Sequence, residues 1–331
     1  MERVPSEVLK KIFSLLDNHG LGTIMQVCRR WNDVAETVWR CDEIEVHNSN
    51  DMKKLGLERM KRLRKVFLKL DWVGTEKFQL LSTLDRLSTL VLWCVDVSSV
   101  PTDALFDVIQ KVKTLKLARS VLSDEQIVMI FETLQKKSEK TKLYLAEQDL
   151  TIVSEESIAS AFNNQTILNI ADCTLKVEQW SQIFALMRDQ SKVKSLSLSQ
   201  CDISRIDPRV VARAFNFVME VTLLESKFSK VQITETMNLL AQGTKLKDLH
   251  IVGVADFSAV DSDLIAKAIN NLQEAKLNFE LSNVQKEAII RQATRKTNLK
   301  VLSMSIKGID EKLVVRARNR IGVCSLYKYD Y

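Results

Sequence analysis

The sequence predicts an α/β protein in which a short N-terminal helical unit precedes a curved solenoid, with parallel strands inside and helices outside. Three observations support this prediction. Two amphipathic helical patterns fill the first 40 residues, an apolar-x-apolar strand signal returns repeatedly after residue 42, and helical patterns separate the strand signals. Because 46% of the 331 residues are apolar, the chain can bury one or two large cores.

The first helical pattern is VPSEVLKKIFSLL, residues 4–16. Pro5 and Ser6 can begin a helix, and Glu7 lies where the helix dipole favours an acidic residue. The apolar positions spread over roughly 160° of the helix, whereas docking on one neighbour needs about 100°. The pattern therefore predicts a helix with two neighbours.

The second pattern is TIMQVCRRWNDVAETVW, residues 23–39, which follows a break at residues 18–22. It predicts a second helix or a pair of helices. We expect one apolar face to hold Ile24, Val27, Cys28, Trp31, Val34, Ala35, Val38 and Trp39. So small a unit has more apolar surface than its own core can bury. The helices either pack onto the rest of the chain or also bind another protein.

Both helical patterns resemble the F-box. The positions that match the F-box pattern in order are Pro5, Glu7, Leu9, Ile12, Phe13, Leu16, Leu21, Val27, Cys28, Arg30, Trp31 and Trp39. Val4 replaces the usual leucine, and His19 and Gly20 stand where an acidic residue or lysine is common. The resemblance implies an F-box at residues 1–40.

An F-box would bind the Skp-type adaptor of a ubiquitin ligase and, through it, a cullin and a RING subunit. This partner would be the second neighbour of the first helix. The residues that the resemblance assigns to adaptor binding are Val4, Pro5, Leu9, Ile12, Phe13, Leu16, Val27, Cys28 and Trp31.

The strand signals after residue 42 form a repeat. Their first apolar residues, used here as anchors, are Ile44, Leu68, Leu90, Leu115, Leu143, Leu168, Leu196, Val221, Leu249, Ala275 and Leu302. From Leu90 to Leu249 the anchors are alternately 25 and 28 residues apart, so every second strand recurs after 53 residues. Self-similarity at this period with Leu-x-Leu strands indicates leucine-rich repeats. We predict a solenoid of about 11 such repeats at residues 41–324, joined rigidly to the helical unit.

Helical patterns between the anchors lie at residues 123–135, 154–164, 177–187, 207–218 and 261–272. One strand and one helix per repeat resembles the ribonuclease-inhibitor class of leucine-rich repeats. That class ends its strands with an Asn or Cys that bonds backbone carbonyls. Cys173 and Cys201 keep this residue, whereas Ser120 and Ser226 are among its replacements. We therefore expect only a partial ladder.

The segment 325–331 is predicted to be a C-terminal tail. Its last five residues, YKYDY, contain three tyrosines. The tail is either frayed or folded over the last repeat and the concave face.

Catalysis and cofactor binding have no visible basis in the sequence. The three histidines, His19, His47 and His250, have no carboxylate or nucleophile at motif spacing. Glycine-rich phosphate loops and Cys-x-x-Cys pairs do not occur, so we predict no enzyme activity, no cofactor, no metal site and no disulfide framework. The net charge of +6 is mild, and the basic segments at 61–65 and 316–320 lack interleaved aromatics. We predict no nucleic-acid partner.

The cellular location is predicted from two further features. No run approaches 18 apolar residues, and residues 1–20 lack a secretory pattern. We expect a cytoplasmic or nuclear protein with no membrane partner.

The concave face is predicted to be the informative surface of the solenoid. One row of its residues begins Lys69, Val91, Lys116 and Tyr144, and the next begins Asp71, Trp93, Ala118 and Ala146. The predicted target-binding residues are Trp93, Tyr144, Arg119, Glu147, Asp172, Leu224, Glu225 and His250. Small side chains here are either what tight curvature tolerates or the floor of a groove. A groove with aromatic anchors and an acidic wall would bind a basic segment of a protein substrate.

Two functions are compatible with these features. The first is a substrate-recognition subunit of an SCF-type (Skp-cullin-F-box) ubiquitin ligase, which the F-box resemblance implies. The second is a leucine-rich-repeat scaffold or inhibitor protein, whose helical unit only closes the end of the solenoid.

Overall fold

A computed structural model describes residues 4–16, 21, 23–38, 43–46, 63–69, 75–188, 191–253, 257, 260–294, 297–321 and 323–327. These residues form a helical cap followed by a single parallel sheet of 12 strands, with a helix after most strands. The predicted α/β solenoid is therefore confirmed. The joint between cap and first strand, residues 39–42, lies outside the described residues.

The helices of the described residues are α1 (Ser6–Phe13), α2 (Arg29–Val38), α3 (Thr75–Ser82), α4 (Thr102–Ile109), α5 (Asp124–Lys136), α6 (Glu155–Asn163), α7 (Val177–Leu186), α8 (Pro208–Phe217), α9 (Lys230–Gln242), α10 (Ser262–Asn270), α11 (Asn283–Ala293) and α12 (Glu311–Arg318).

The strands of the described residues are β1 (Glu43–Val46), β2 (Lys65–Lys69), β3 (Thr89–Trp93), β4 (Thr114–Ala118), β5 (Thr141–Ala146), β6 (Gln165–Ala171), β7 (Ser195–Ser199), β8 (Glu220–Leu224), β9 (Asp248–Val252), β10 (Glu274–Asn278), β11 (Val301–Ser305) and β12 (Val323–Tyr327).

Neighbouring strands pair in chain order, and their register confirms the predicted anchors with one exception. Leu90 pairs with Val66 rather than with Leu68. The prediction was wrong by two residues because the segment KVFLKL contains two overlapping apolar-x-apolar signals. As a result Phe67, and not Lys69, lies beside Val91 on the sheet.

The C-terminal end of the sheet extends further than predicted. Strand β12 pairs with β11 through Cys324 and Leu302, and it includes residues 325–327, which the sequence analysis assigned to the tail. Parallel pairing can add one more strand because β11 would otherwise be an open edge. Residues 328–331, on which the two predictions for the tail depend, lie outside the described residues.

The core of the solenoid lies between the sheet and the helices. The aromatic side chains of Phe131, Trp180, Phe184 and Phe215 are buried there. Their rings contact one another within and between repeats: Trp180 stacks on Phe184 of the same helix at 5.7 Å between ring centroids, and Phe184 meets Phe215 of the next repeat edge-on at 6.0 Å. Each repeat thus buries its apolar face against its neighbours.

Four buried glutamines clamp successive pairs of repeats, a feature that the sequence analysis missed. They are Gln126, Gln179, Gln232 and Gln285, each 53 residues after the one before. Each side-chain amide donates hydrogen bonds of 2.6–2.9 Å to two backbone carbonyls in the loop after an earlier strand. Each amide oxygen accepts the backbone N–H at the start of its own helix at 2.7–3.0 Å. We call this set of hydrogen bonds the glutamine clamp; it occurs once in every 53-residue pair of repeats.

The strand-end ladder is fuller than predicted. Besides Cys201, which contacts the Ile170 carbonyl, Ser120 and Ser226 donate hydrogen bonds to carbonyls of the preceding strand at 3.0 and 3.2 Å. A serine hydroxyl is a donor like the asparagine amide that it replaces. The prediction of a partial ladder did not count this substitution.

The residue directly after most strands has a left-handed backbone. The φ angle is 48–53° at Cys94, Arg119, Glu147, Asp172, Gln200 and Glu225. The next equivalent position is Gly253, with φ 103°. A Cβ atom there would lie 3.0 Å from the Cα of Glu225, so the close approach of two turns requires glycine.

Candidate functional site

The cap has a small core of its own. Leu9 and Phe13 from α1 meet Val34 and Ala35 from α2, and all four side chains are buried. The ring of Trp31 packs edge-on against Phe13 at 5.5 Å between centroids. These contacts fix the two helices against each other.

A row of large apolar side chains on the cap is exposed. Val8 and Ile12 lie four residues apart on α1, and Leu15, three residues further and just beyond the end of the helix, is 86% exposed. Two further apolar residues beyond the helix, Leu16 and Val27, are also exposed, and Val27 is 60% exposed. Exposed apolar residues at this density, outside the described core of the cap, are typical of surfaces that bind another protein.

The chain between the cap helices does not form the continuous helix face that the sequence predicted. Gln26 and Val27 donate backbone hydrogen bonds to residues three positions earlier, Thr23 and Ile24, and α2 begins only at Arg29. Such i to i+3 bonds form a tight turn rather than an α-helix. Val27 and Cys28 therefore leave the face of Val34 and are exposed.

The N-terminal end of the concave face carries three aromatic residues. Trp93 is 50% exposed, and Tyr144 lies beneath the ammonium group of Lys116 at 4.4 Å. Phe67, which the shifted register of β2 places beside Val91, lies beneath Lys65 at 4.4 Å. Val91, predicted as a surface residue, is instead buried. Trp93 and Tyr144, the two predicted aromatic anchors, therefore lie on the same face as a third ring, that of Phe67, and their role in target binding stays a prediction.

The predicted acidic wall is partly neutralised. Arg119 forms an ion pair with Glu147 at 2.6 Å, and Gln200 donates a hydrogen bond to Glu225 at 2.9 Å. These pairs form because the left-handed residues of adjacent turns stand side by side. Asp172 is exposed between them. Arg119, Glu147, Asp172 and Glu225 are all among the predicted target-binding residues, but their spacing did not predict this pairing.

A second acidic row crosses the concave face at the start of β8, β9 and β10, and sequence reasoning missed it. Glu220, Asp248 and Glu274 are in register on the three strands. Burial and the two neighbouring carboxylates raise the pKa of Asp248. The sequence contained a signal for this row, because each of the three acidic residues directly precedes a strand anchor.

The predicted residue His250 belongs to this acidic row. Its Nε2 lies 2.9 Å from Oε1 of Glu274, which also accepts a hydrogen bond from Lys276 at 2.6 Å. The bond from Lys276, together with His250, lowers the pKa of the Glu274 carboxyl. Leu224, also a predicted target contact, is half-buried at the end of β8.

The described residues contain no cluster of three His, Cys, Asp or Glu side chains that could hold a metal ion. Within the same residues, no helix has both the length and the apolar character needed to cross a membrane.

Residues 1–42 match the family model of the F-box-like domain. The chain carries an N-terminal F-box-like domain. A chain in the crystal structure of a Rad7 and Elc1 complex in yeast has a similar fold, with a TM-score of 0.50 and 13% sequence identity. The similarity covers 98% of this chain and 90% of that one. No curated protein sequence matches the chain.

The nine predicted adaptor contacts lie partly on the surface and partly in the core of the F-box-like domain. Pro5, Ile12, Leu16, Val27 and Cys28 are exposed, and Val4 and Trp31 are half-buried. The prediction was wrong for Leu9 and Phe13, whose side chains are buried in the core of the domain. A sequence motif includes residues that form the core of the domain as well as residues that bind a partner, and the pattern alone does not separate the two.

Two exposed residues of the F-box-like domain, Val8 and Leu15, were absent from the predicted contacts. Their spacing from Ile12 on α1 was the available signal. Arg30 has a structural role in the domain, since its guanidinium donates a hydrogen bond to the carbonyl of Val4. This bond ties the start of α1 to α2.

Proposed function

We propose that this protein is a substrate-recognition subunit of a Skp-cullin-F-box ubiquitin ligase. The F-box-like domain binds a Skp-type adaptor, which connects it to the cullin and RING subunits. The concave face of the solenoid binds a target protein for ubiquitination. The chain itself has no catalytic role in this proposal.

The exposed apolar row of the F-box-like domain carries the proposal. A domain built only to close the solenoid would direct its apolar residues toward the repeats or its own core. Here Val8, Ile12 and Leu15 are exposed and lie outside the core formed by the described residues of the domain. Burying each such side chain in an interface contributes about 1.5–3 kcal/mol, so several of them together supply enough free energy for stable association.

The target-binding part of the proposal rests on the concave face. Trp93 offers a half-exposed aromatic surface at one end, and Glu220, Asp248 and Glu274 offer negative charge further along. An aromatic anchor together with a separate charged row is typical of a protein-binding face. The complementary partner is a protein segment with net basic charge.

Co-purification with a Skp-type adaptor tests the first part. The double variant Ile12→Asp with Leu15→Asp should lose the adaptor, because two carboxylates would be buried without partners. The matched control is Val231→Asp with Val284→Asp, which changes two exposed valines on outer helices of the solenoid. Elc1, the partner named with Rad7 in the matched structure, is tested in parallel.

Adaptor binding to the wild type and the control, with loss in the cap variant, supports the proposal. Equal binding by all three proteins, or no binding by the wild type, contradicts it. The second result would favour a scaffold or inhibitor role.

The thiol of Cys28 provides an independent readout. It is exposed beside Val27, so iodoacetamide should label it in the unbound protein. Bound adaptor should slow this labelling at least tenfold, while the rate at Cys94 on the solenoid stays unchanged. Site-resolved mass spectrometry distinguishes the two cysteines, and unprotected Cys28 in a saturated complex would place the adaptor elsewhere.

Substrate trapping tests the second part. The double variant Trp93→Ala with Tyr144→Ala should lose the target but retain the adaptor, because the two surfaces lie on different parts of the chain. Association of the target with the wild type should also slow as salt concentration rises. Normal target turnover in cells with this variant would move the recognition surface away from the aromatic end.

A further inference from the structure

A second row of charge lies on the rim where the strands begin. One residue per repeat forms a backbone hydrogen-bonded ladder there, namely Thr166, Lys194, Met219, Lys247, Gln273 and Lys300. Each N–H donates to the carbonyl of the preceding member at 2.7–2.9 Å. The ladder advances one strand at a time, about 4.8 Å per step. Its three lysines, which we call the lysine row, are therefore held roughly 10 Å apart on rigid backbone.

The alternation of repeat lengths leaves notches between the lysine-bearing loops. The loops before β7 and β9 carry additional lysines at Lys192 and Lys245, whereas the intervening connection to β8 is short. One notch of about 470 Å³ and a second of about 560 Å³ open on this rim. Both notches share Met219 and Lys245.

The notches are positively charged. The cations that line the first are Lys140, Arg188, Lys192, Lys194 and Lys245, and those that line the second are Lys245, Lys247 and Lys300. No carboxylate lines either notch among the residues that the structure describes. The notches use no described residue of the F-box-like domain. The acidic row of Glu220, Asp248 and Glu274 directly follows Met219, Lys247 and Gln273 in the chain, but it does not line the notches.

Helix capping does not account for these lysines. Lys137 and Arg320 on the same rim donate to backbone carbonyls at helix ends, at 2.7 and 2.6 Å. By contrast, Lys194 and Lys300 are exposed, and their side-chain ammonium groups form no hydrogen bond or ion pair with any described residue. Their ammonium groups are available to an external anion.

We propose that this rim binds an acidic, extended segment of a partner protein. A polyproline-type segment repeats every three residues over about 9.3 Å, which matches the roughly 10 Å between successive lysines. Met219 lines both notches, so an apolar side chain between the acidic ones would also be buried against it.

A nucleic acid fits this surface less well. Single strands bind where exposed rings stack on successive bases, and the ring of Phe217 already lies beneath the ammonium of Lys245 at 5.0 Å. A phosphate backbone would also leave the side chain of Met219 uncovered. The inference does not depend on the proposed ligase function, because it uses no residue of the F-box-like domain.

Fluorescence anisotropy with the full chain tests the proposal. The probe is a fluorescein-labelled peptide of six Glu-Glu-Leu units at 0.15 M salt, and an oligomer of 20 deoxythymidines is the competing probe. The triple variant Lys194→Glu, Lys247→Glu, Lys300→Glu should weaken peptide binding at least tenfold. The triple change of the same lysines to Gln removes the positive charge without adding repulsion, and it should weaken peptide binding several-fold. Because this change is milder, its effect is less easily explained by misfolding than that of the Glu variant.

The matched control changes Arg213, Lys267 and Lys312, three exposed cations on outer helices, to Glu. It carries the same change of net charge and should bind the peptide within twofold of the wild type. Equal loss in the control and the lysine-row variant, or no peptide binding by the wild type, overturns the proposal. Tighter binding of the oligonucleotide through the same lysines overturns it in favour of a nucleic acid.

Discussion

The cap and the solenoid differ in where their large apolar side chains lie. In the cap, a buried cluster around Phe13 is accompanied by an exposed apolar row along α1. In the solenoid, one core runs through the described repeats, and exposed apolar residues such as Val231 and Val284 are single. The comparison shows that exposure must be judged against the size of the unit: single exposed valines on a long solenoid are ordinary, whereas a row on a two-helix cap is not.

The two regions also differ in what stabilises them. Each solenoid repeat packs on two sides against neighbours with the same architecture. A repeat that loses one contact is therefore still held by its other contacts with both neighbours. The described part of the cap depends on a cluster of five buried residues, Leu9, Phe13, Leu21, Val34 and Ala35. Single substitutions should therefore disrupt the cap more completely than the solenoid.

The largest effect is expected from Phe13→Ala in the cap. Truncating a buried phenylalanine costs about 3–5 kcal/mol, which a unit of this size cannot absorb. Hydrogen–deuterium exchange should show loss of protection in α1 and α2, with the solenoid unchanged. Leu15→Ala is the control, since its side chain is exposed. Retained protection in Phe13→Ala would mean that the cap draws its stability from elsewhere.

The second prediction concerns a glutamine clamp. Gln232→Ala removes the donor to the carbonyls of Ile203 and Ile206, which it contacts at 2.7 and 2.8 Å. Two buried carbonyls without partners should cost about 2–4 kcal/mol of unfolding free energy. Urea unfolding measures this cost, and Gln242→Ala, at an exposed position of the same helix, should be nearly neutral. Equal effects of the two changes would mean that the clamp does not stabilise the repeats.

A smaller difference should separate two glycines of the solenoid. Gly253 and Gly243 both have positive φ, but only at Gly253 would a Cβ atom meet backbone, 3.0 Å from the Cα of Glu225. We expect a loss of about 2–3 kcal/mol for Gly253→Ala and about 1–2 kcal/mol for Gly243→Ala. Thermal unfolding of both variants checks the order. The reverse order would show that the turn after β9 can open.

The smallest effect near neutral pH concerns Lys137, whose ammonium donates hydrogen bonds to the carbonyls of Ile109 and Val112. Burial lowers its pKa from 10.5 to about 8. Between these values the unfolded chain retains a proton that the folded protein has released, so stability rises with pH. Below about pH 8 both states are protonated and the contribution is constant.

The variant Lys137→Met should lack this dependence. The difference in unfolding free energy between wild type and variant should be constant at and below pH 7 and should move in favour of the wild type from pH 8 to 10. Urea midpoints at four pH values measure it. Parallel curves for the two proteins would mean that Lys137 titrates as an exposed lysine does.

Most of the fold could be predicted because the repeat is periodic. Every anchor from Leu90 to Leu302 has the predicted partner in the sheet. The error at Leu68 arose where two strand signals overlap, and local apolar spacing contains nothing that chooses between them. The glutamine clamp was predictable in principle, since buried amides at a 53-residue spacing are visible in the sequence.

The candidate site could be predicted only in part. The F-box pattern identified the cap helices. It could not separate the core residue Phe13 from the exposed Leu15, because that requires knowing how α1 is rotated against α2. The Arg119 and Glu147 ion pair depends on side chains reaching across adjacent turns, which strand register alone does not determine. The 53-residue spacing of the lysine row is visible in the sequence, but only the backbone hydrogen bonds show that these lysines line one rim of the sheet.

The glutamine clamp determines how this solenoid could be lengthened or shortened. Removal of residues 123–175 would bring Gln179 to the position of Gln126, facing the carbonyls of Val97 and Val100 that Gln126 contacts now. Removal of a single 25- or 28-residue repeat would instead leave a buried amide opposite a loop with the wrong spacing. The modular unit of this architecture is therefore the pair of repeats, and duplications or engineered insertions that preserve the fold should come in multiples of that pair.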